Sequence, residues 1–116
     1  AGTPILATEN YDGYYSLPTN MFSGEDLFML RVKGDSMIDA GIFDGDTIVV
    51  KKQETANNGD IIVAMFGDEG EEGATVKRFF RRDGKFILHP ESAALSDYVL
   101  DQVTVLGKVI GLLRTM

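Results

Sequence analysis

One serine and a small set of bases frame the chemistry open to this chain. Ser36 stands in Val32-Lys33-Gly34-Asp35-Ser36-Met37, where a strand-like run stops at a glycine. Two further glycines, Gly41 and Gly45, precede the next strand-like run, Thr47 to Val50. A hydroxyl bracketed by flexible residues at a strand end is well placed to be a nucleophile, but it attacks poorly unless a base takes its proton. His89 is the only histidine, so a Ser-His-Asp arrangement is formally open. The Gly-x-Ser-x-Gly elbow is missing, because Ile38 stands where its second glycine belongs, and a Ser-x-x-Lys spacing fails at Asp39.

A lysine is the remaining activator. An exposed lysine titrates near ~10.4 and is almost wholly protonated at neutral pH. Desolvation against apolar groups lowers that value, by up to about 3–5 units in the extreme. Lys77 lies in Ala74-Thr75-Val76-Lys77-Arg78-Phe79-Phe80. Strand alternation puts it on the face of Thr75 and Phe79, with Arg78 on the other. The same pattern fits a solvent-facing lysine on an edge strand, since lysine is rarely buried unless paired. Spacing does not choose between the two.

The elements that would position these residues are short. Leu27 to Val32 alternates as a half-buried strand, and Thr47 to Lys51 is rich in β-branched residues. Asp60 to Phe66 is nearly all apolar, as in a strand buried on both faces. It pairs as a hairpin with Ala74 to Arg82 across the loop Gly67 to Gly73. Asp83-Gly84 signals a second hairpin into Lys85 to His89. Asn57-Asn58-Gly59 supplies a turn. Tyr14 to Leu17 reads as a further short strand and Pro18 to Phe22 as one helical turn, while Pro90 to Leu100 reads as irregular. Val103 to Leu113 is a long apolar run broken by Gly107 and Gly111. It reads either as a core strand or as a dimer edge. The edge reading is favoured, because an apolar edge left open invites aggregation. The pattern predicts a mostly β fold of twisted, partly closed antiparallel strands with one or two short helical turns.

Composition narrows the function classes. The 116 residues make one ordinary domain, 1–116, able to bury a core without disulfides. Zero cysteines exclude thiolate zinc sites, iron–sulfur clusters and cysteine nucleophiles, and fit a cytoplasmic protein. No run approaches the 18 or more apolar residues of a membrane span, and Ala1-Gly2-Thr3-Pro4 lacks the blocks of a signal peptide. Eleven Lys plus Arg against eighteen Asp plus Glu give a net charge of −7. That argues against this chain gripping nucleic acid by itself. The acidic run Asp68 to Glu72 and the basic run Lys77 to Lys85 read as solvated faces of a hairpin.

Several separated motifs recur in order: Gly34-Asp35-Ser36-Met37-Ile38-Asp39-Ala40-Gly41-Ile42, Asp44-Gly45-Asp46, Asn58-Gly59-Asp60, Ala74-Thr75-Val76-Lys77-Arg78 and Gly107-Lys108-Val109-Ile110-Gly111. Together they resemble the C-terminal domain of the LexA family of SOS-response repressors, which is related to the UmuD mutagenesis protein and to cleavable phage repressors. The resemblance implies a Ser-Lys self-cleaving serine endopeptidase with Ser36 as nucleophile and Lys77 as general base. It further implies an oxyanion hole at the backbone amides of Asp35 and Ser36, and a scissile bond at Ala1-Gly2 within a cleavage-site arm, residues 1–10. The implied partners are a second copy, paired through the C-terminal strand, and a RecA filament on single-stranded DNA. Operator DNA would be held through an N-terminal domain that this chain lacks. No cofactor, metal or membrane is implied. Gly67 to Gly73 is longer and more acidic than the family pattern. A UmuD-like polymerase accessory module would share fold and dyad. A signal peptidase, which uses a similar pair, is disfavoured by the lack of an anchor.

Overall fold

The computed structural model describes residues 26–65 and 74–115. Seven strands run in chain order: β1 (Leu27–Arg31), β2 (Thr47–Lys52), β3 (Ile61–Met65), β4 (Thr75–Arg82), β5 (Lys85–His89), β6 (Tyr98–Leu100) and β7 (Thr104–Leu113). Between β1 and β2 sits a single 3-10 turn, Ile38–Ala40. All ladders are antiparallel, in the spatial order β1-β2-β7-β3-β4-β5-β6. The mostly β, antiparallel expectation holds. Among the described residues the strands make one sheet, not closed on itself, with β1 and β6 as its outermost strands. The candidate elements Tyr14 to Leu17 and Pro18 to Phe22, the arm 1–10 and the loop Gly67 to Gly73 lie outside the described residues.

The centre of the sheet is apolar on both faces. Ile48, Val49 and Val50 of β2 and Ile62, Val63 and Ala64 of β3 are all fully buried. Continuous β-branched runs suit strands covered on both sides. One cluster joins Phe28, Leu30, Ile48, Val50 and Val63 to Met37 and Ile42 of the serine loop. A second gathers Ile62, Ala64, Phe79 and Leu88. The loop carrying Ser36 is thus nailed into the first cluster by Met37, which is only 1% exposed.

Strand β7 is the weld. Its Gly107 to Leu113 pairs with β2, and its Thr104 to Lys108 pairs with β3. A register shift in each ladder leaves Ile110 and Leu106 without an opposite residue, and such bulges bend and twist a strand. Gly107 lies where the strands crowd. A Cβ built there would stand 2.5 Å from both the Lys51 carbonyl oxygen and the Val50 Cγ1. The two readings of the C-terminal run therefore divide along its length. Lys108 and Gly107 are paired on both sides, as in a core strand. From Val109 to Leu113 the strand pairs, among the described residues, with β2 alone.

The β4–β5 turn is as expected. Asp83 and Gly84 both have positive φ, 51° and 77°, which is the backbone of the two-residue hairpin turn that Asp-Gly favours. The region read as irregular contains β6, whose Tyr98–Leu100 adds to β5 as a three-residue edge.

Candidate active site

Ser36 and Lys77 reach each other from different parts of the sheet. Lys77 lies on β4, opposite Ile62 of β3, and is 6% exposed. Its strand is not an edge strand, because β3 and β5 flank β4, with the β5 ladder beginning one residue on, at Arg78. That removes the solvent-facing reading of this lysine. Burial disfavours its charged form and pushes its pKa below the ordinary lysine value. Its Nζ stands 3.1 Å from Ser36 Oγ. The same Nζ donates to Thr75 Oγ1 at 2.6 Å. An amine has one lone pair once it is neutral, so a proton donated to Thr75 helps aim that pair at Ser36.

Ser36 is held by a loop instead of a ladder. β1 and β2 close over it through Val32 N–H to Asp46 O (2.7 Å) and Gly45 N–H to Val32 O (2.8 Å). Gly34 has φ 90°, a conformation side chains resist, and its amide donates to Asp44 Oδ1 at 2.7 Å. The segment after Ser36 then coils. Gly41 N–H bonds Ile38 O, and Ile42 N–H bonds Met37 O. From outside, Asp39 N–H reaches Glu91 O at 2.7 Å, and the Glu91 carboxylate is paired with Arg78. The amides of Asp35 and Ser36 bond no backbone carbonyl among the described residues. A cavity of about 120 Å³ opens beside the pair, bounded by Leu30 and Val32, by Ser36 and Met37, and by Ala74 and Thr75.

This arrangement can do one kind of chemistry. A hydroxyl beside a buried amine of lowered basicity is an activatable nucleophile. The sole histidine is occupied elsewhere: its Nδ1 is 2.5 Å from Asp97 Oδ1. No group of three or more His, Asp or Glu that could hold a metal ion occurs among the described residues. Ala1 and Gly2 lie outside the described residues.

The profile of the Peptidase S24-like family matches residues 1–110. The chain belongs to that family. It is 54% identical over 116 residues to the LexA repressor of Caldicellulosiruptor saccharolyticus, covering 100% of this chain and 55% of that protein. It is 52% identical over 114 residues to the LexA repressor of Brevibacillus brevis, covering 98% and 54%. A LexA repressor of Bacillus velezensis is 52% identical over 117 residues, covering 100% of this chain and 55% of its own length. The chain thus spans about half the length of the curated relatives it matches. Among the described residues, no helix is long and apolar enough to cross a membrane.

Two features of the site were not read from the sequence. Thr75 was placed on the face of Lys77, and its two-residue spacing was the available sign that it could touch the amine. The bidentate pair of Asp46 with Arg114, 2.8 and 2.7 Å, was not read at all. Its one sign was a carboxylate directly preceding an apolar strand, since a buried aspartate needs a partner.

Proposed function

We propose that this S24-like chain is the self-cleaving part of a LexA-type SOS repressor, acting in the cytoplasm. The observation that carries the reading is the 3.1 Å approach of Lys77 Nζ to Ser36 Oγ in a setting that lowers the lysine's basicity. In the proposed reaction, neutral Lys77 takes the Ser36 proton and Oγ attacks the carbonyl carbon of Ala1. The amides of Asp35 and Ser36 hold the oxyanion, a type of donor worth ~2.7–4 kcal/mol of barrier. The Lys77 ammonium returns its proton to the Gly2 nitrogen as the Ala1–Gly2 bond breaks. Water then releases the Ala1 acyl group from Ser36. Substrate and enzyme are one chain, so no bimolecular encounter has to be organised. The small cavity suits Ala and Gly.

In the same reading, a RecA filament on single-stranded DNA favours the conformation with the bond docked, shifting a population that already exists. The strand segment Val109 to Leu113 pairs with a second copy. Operator DNA is contacted by sequence outside this chain. Scission removes the link between the two functions and derepresses DNA-damage genes.

The test is self-cleavage of the full-length parent, with a RecA filament and, separately, at rising alkaline pH without one. Scission is expected at Ala1-Gly2, faster as pH rises through the Lys77 titration. Ser36→Ala should abolish it, and Lys77→Ala should slow it by about 10²–10⁴-fold. Parental cleavage by Lys77→Ala at high pH would sink the dyad.

A further inference from the structure

The last residue of the weld strand's neighbourhood reaches back across the fold. Arg114 directly follows β7. Its Nε donates to Asp46 Oδ1 at 2.8 Å, and its Nη2 donates to Asp46 Oδ2 at 2.7 Å. Nη2 also donates to the Gly41 carbonyl at 2.9 Å. The guanidinium lies 4.9 Å from the centre of the Phe43 ring. Asp46 is 3% exposed, and its Oδ2 also accepts the Phe43 amide at 2.7 Å. One planar fork therefore touches three residues of a single turn, Gly41, Phe43 and Asp46. Only arginine has the geometry for that. The Arg114 bonds hold the Asp46 carboxyl below the usual carboxylate range.

The turn so gripped is the far anchor of the serine loop. Gly41, whose carbonyl takes Nη2, donates its own amide to Ile38 O, and the next amide, Ile42 N–H, bonds Met37 O. Met37 is the residue after Ser36, and it is buried in the core beside it. A short relay of hydrogen bonds thus runs from Arg114 through the Gly41–Ile42 peptide to the carbonyl of Met37, the residue that follows Ser36. Asp46 O holds the other end of the loop at Val32.

We propose that Arg114 is a positioning residue: through Asp46 and Gly41 it fixes the serine loop against β4, so that Ser36 keeps its approach to Lys77 and the loop keeps water from the amine. This rests on the self-cleavage reading above. Without the fork, the loop breathes at its Gly41 end, Ser36 moves off the amine and Lys77 becomes hydrated. Hydration favours the ammonium, so the lysine's titration moves up toward the ordinary value.

The test uses the full-length parent with Arg114→Ala and Arg114→Lys, and with Ser36→Ala as the blank. Self-cleavage without a filament is followed across pH 7 to 11 (a range spanning lysine titration), at a temperature where circular dichroism shows each variant folded. The expected result for Arg114→Ala is a rate at neutral pH at least ~10-fold lower, with the pH midpoint displaced upward. Arg114→Lys, which keeps charge but not the fork, falls between. Guanidinium ion at millimolar concentration restores part of the Arg114→Ala rate. A purely structural role would change the melting temperature and leave the pH midpoint of the folded protein in place, and that result overturns the proposal. The second measurement does not depend on cleavage. In Arg114→Ala, the NMR titration of the Lys77 side chain should move up, and an unmoved titration overturns the proposal. If the parent itself fails to cleave while the Lys77 titration does move, the self-cleavage reading fails and the positioning role stands.

Discussion

Lys77 is held by a strand inside the sheet, opposite the fully buried Ile62 of β3, whereas Ser36 is held by a loop. That loop has two buried anchors, Met37 and Ile42, and between and beyond them depends on individual polar bonds: Gly34 to Asp44, Asp39 to Glu91, and Asp46 and Gly41 to Arg114. The two members of the Ser36–Lys77 pair are thus fixed by different physics. Packing resists displacement collectively, because many contacts must be lost together. A hydrogen bond contributes only about 0.5–1.5 kcal/mol net, but it can be lost singly. The difference teaches where the site is vulnerable: damage to the strand half should cost the whole fold, and damage to the loop half should cost geometry alone.

The largest effect expected from that contrast is at Gly107. Gly107→Ala would drive a Cβ to 2.5 Å from the Lys51 carbonyl oxygen and Val50. Overpacking against backbone costs about 1–3 kcal/mol or more. Urea denaturation should therefore show a lower midpoint for the whole domain. An unchanged midpoint would mean that β7 is not the rigid weld.

A smaller effect, of opposite sign, is expected at Lys77. Its folded pKa is lowered below its unfolded value by burial. The unfolded state therefore binds more protons over the intervening range, and the lysine costs stability at neutral pH. That cost fades as pH rises toward the unfolded value near ~10.4. Lys77→Met should raise the melting temperature by a few degrees at pH 7, and the gain should shrink as pH rises toward ~10.4. A gain that stays constant with pH would contradict the desolvation account.

The smallest effect is on the loop. Asp44→Ala removes the exposed bond to the Gly34 amide, worth about 0.5–1.5 kcal/mol. Amide exchange should quicken between Gly34 and Gly45 and stay unchanged in β3 and β4. Faster exchange spread over the sheet would erase the distinction between the two halves.

Much of the local structure was legible from the sequence, for local reasons. Strands β1 to β5 follow from alternation or β-branched runs, and the Asp83-Gly84 turn follows from two residues that tolerate positive φ. Strand β6 was missed because three residues among polar neighbours leave no periodicity to count. The insertion of β7 between β2 and β3 was beyond local reading, since strand pairing at long range is decided by the whole core. The same holds for the site. Ser36 and Lys77 are 41 residues apart, and it was family resemblance that joined them, because spacing left Lys77 open to a solvent-facing role. Asp46 and Arg114 are 68 residues apart, and neither residue type singles itself out. The burial that makes the aspartate need a partner exists only once the sheet has formed.

The place of β7 also sets an order in time. The strands before and after the serine loop, β1 and β2, form one block, and β3 to β6, with Lys77, form another. Among the described residues their only ladder connection is β7, which follows all the other strands in sequence. A ribosome making this chain therefore finishes Ser36 and Lys77 well before it reaches the strand that joins their blocks. A chain interrupted before Thr104 would carry both Ser36 and Lys77 without the strand that joins their two blocks.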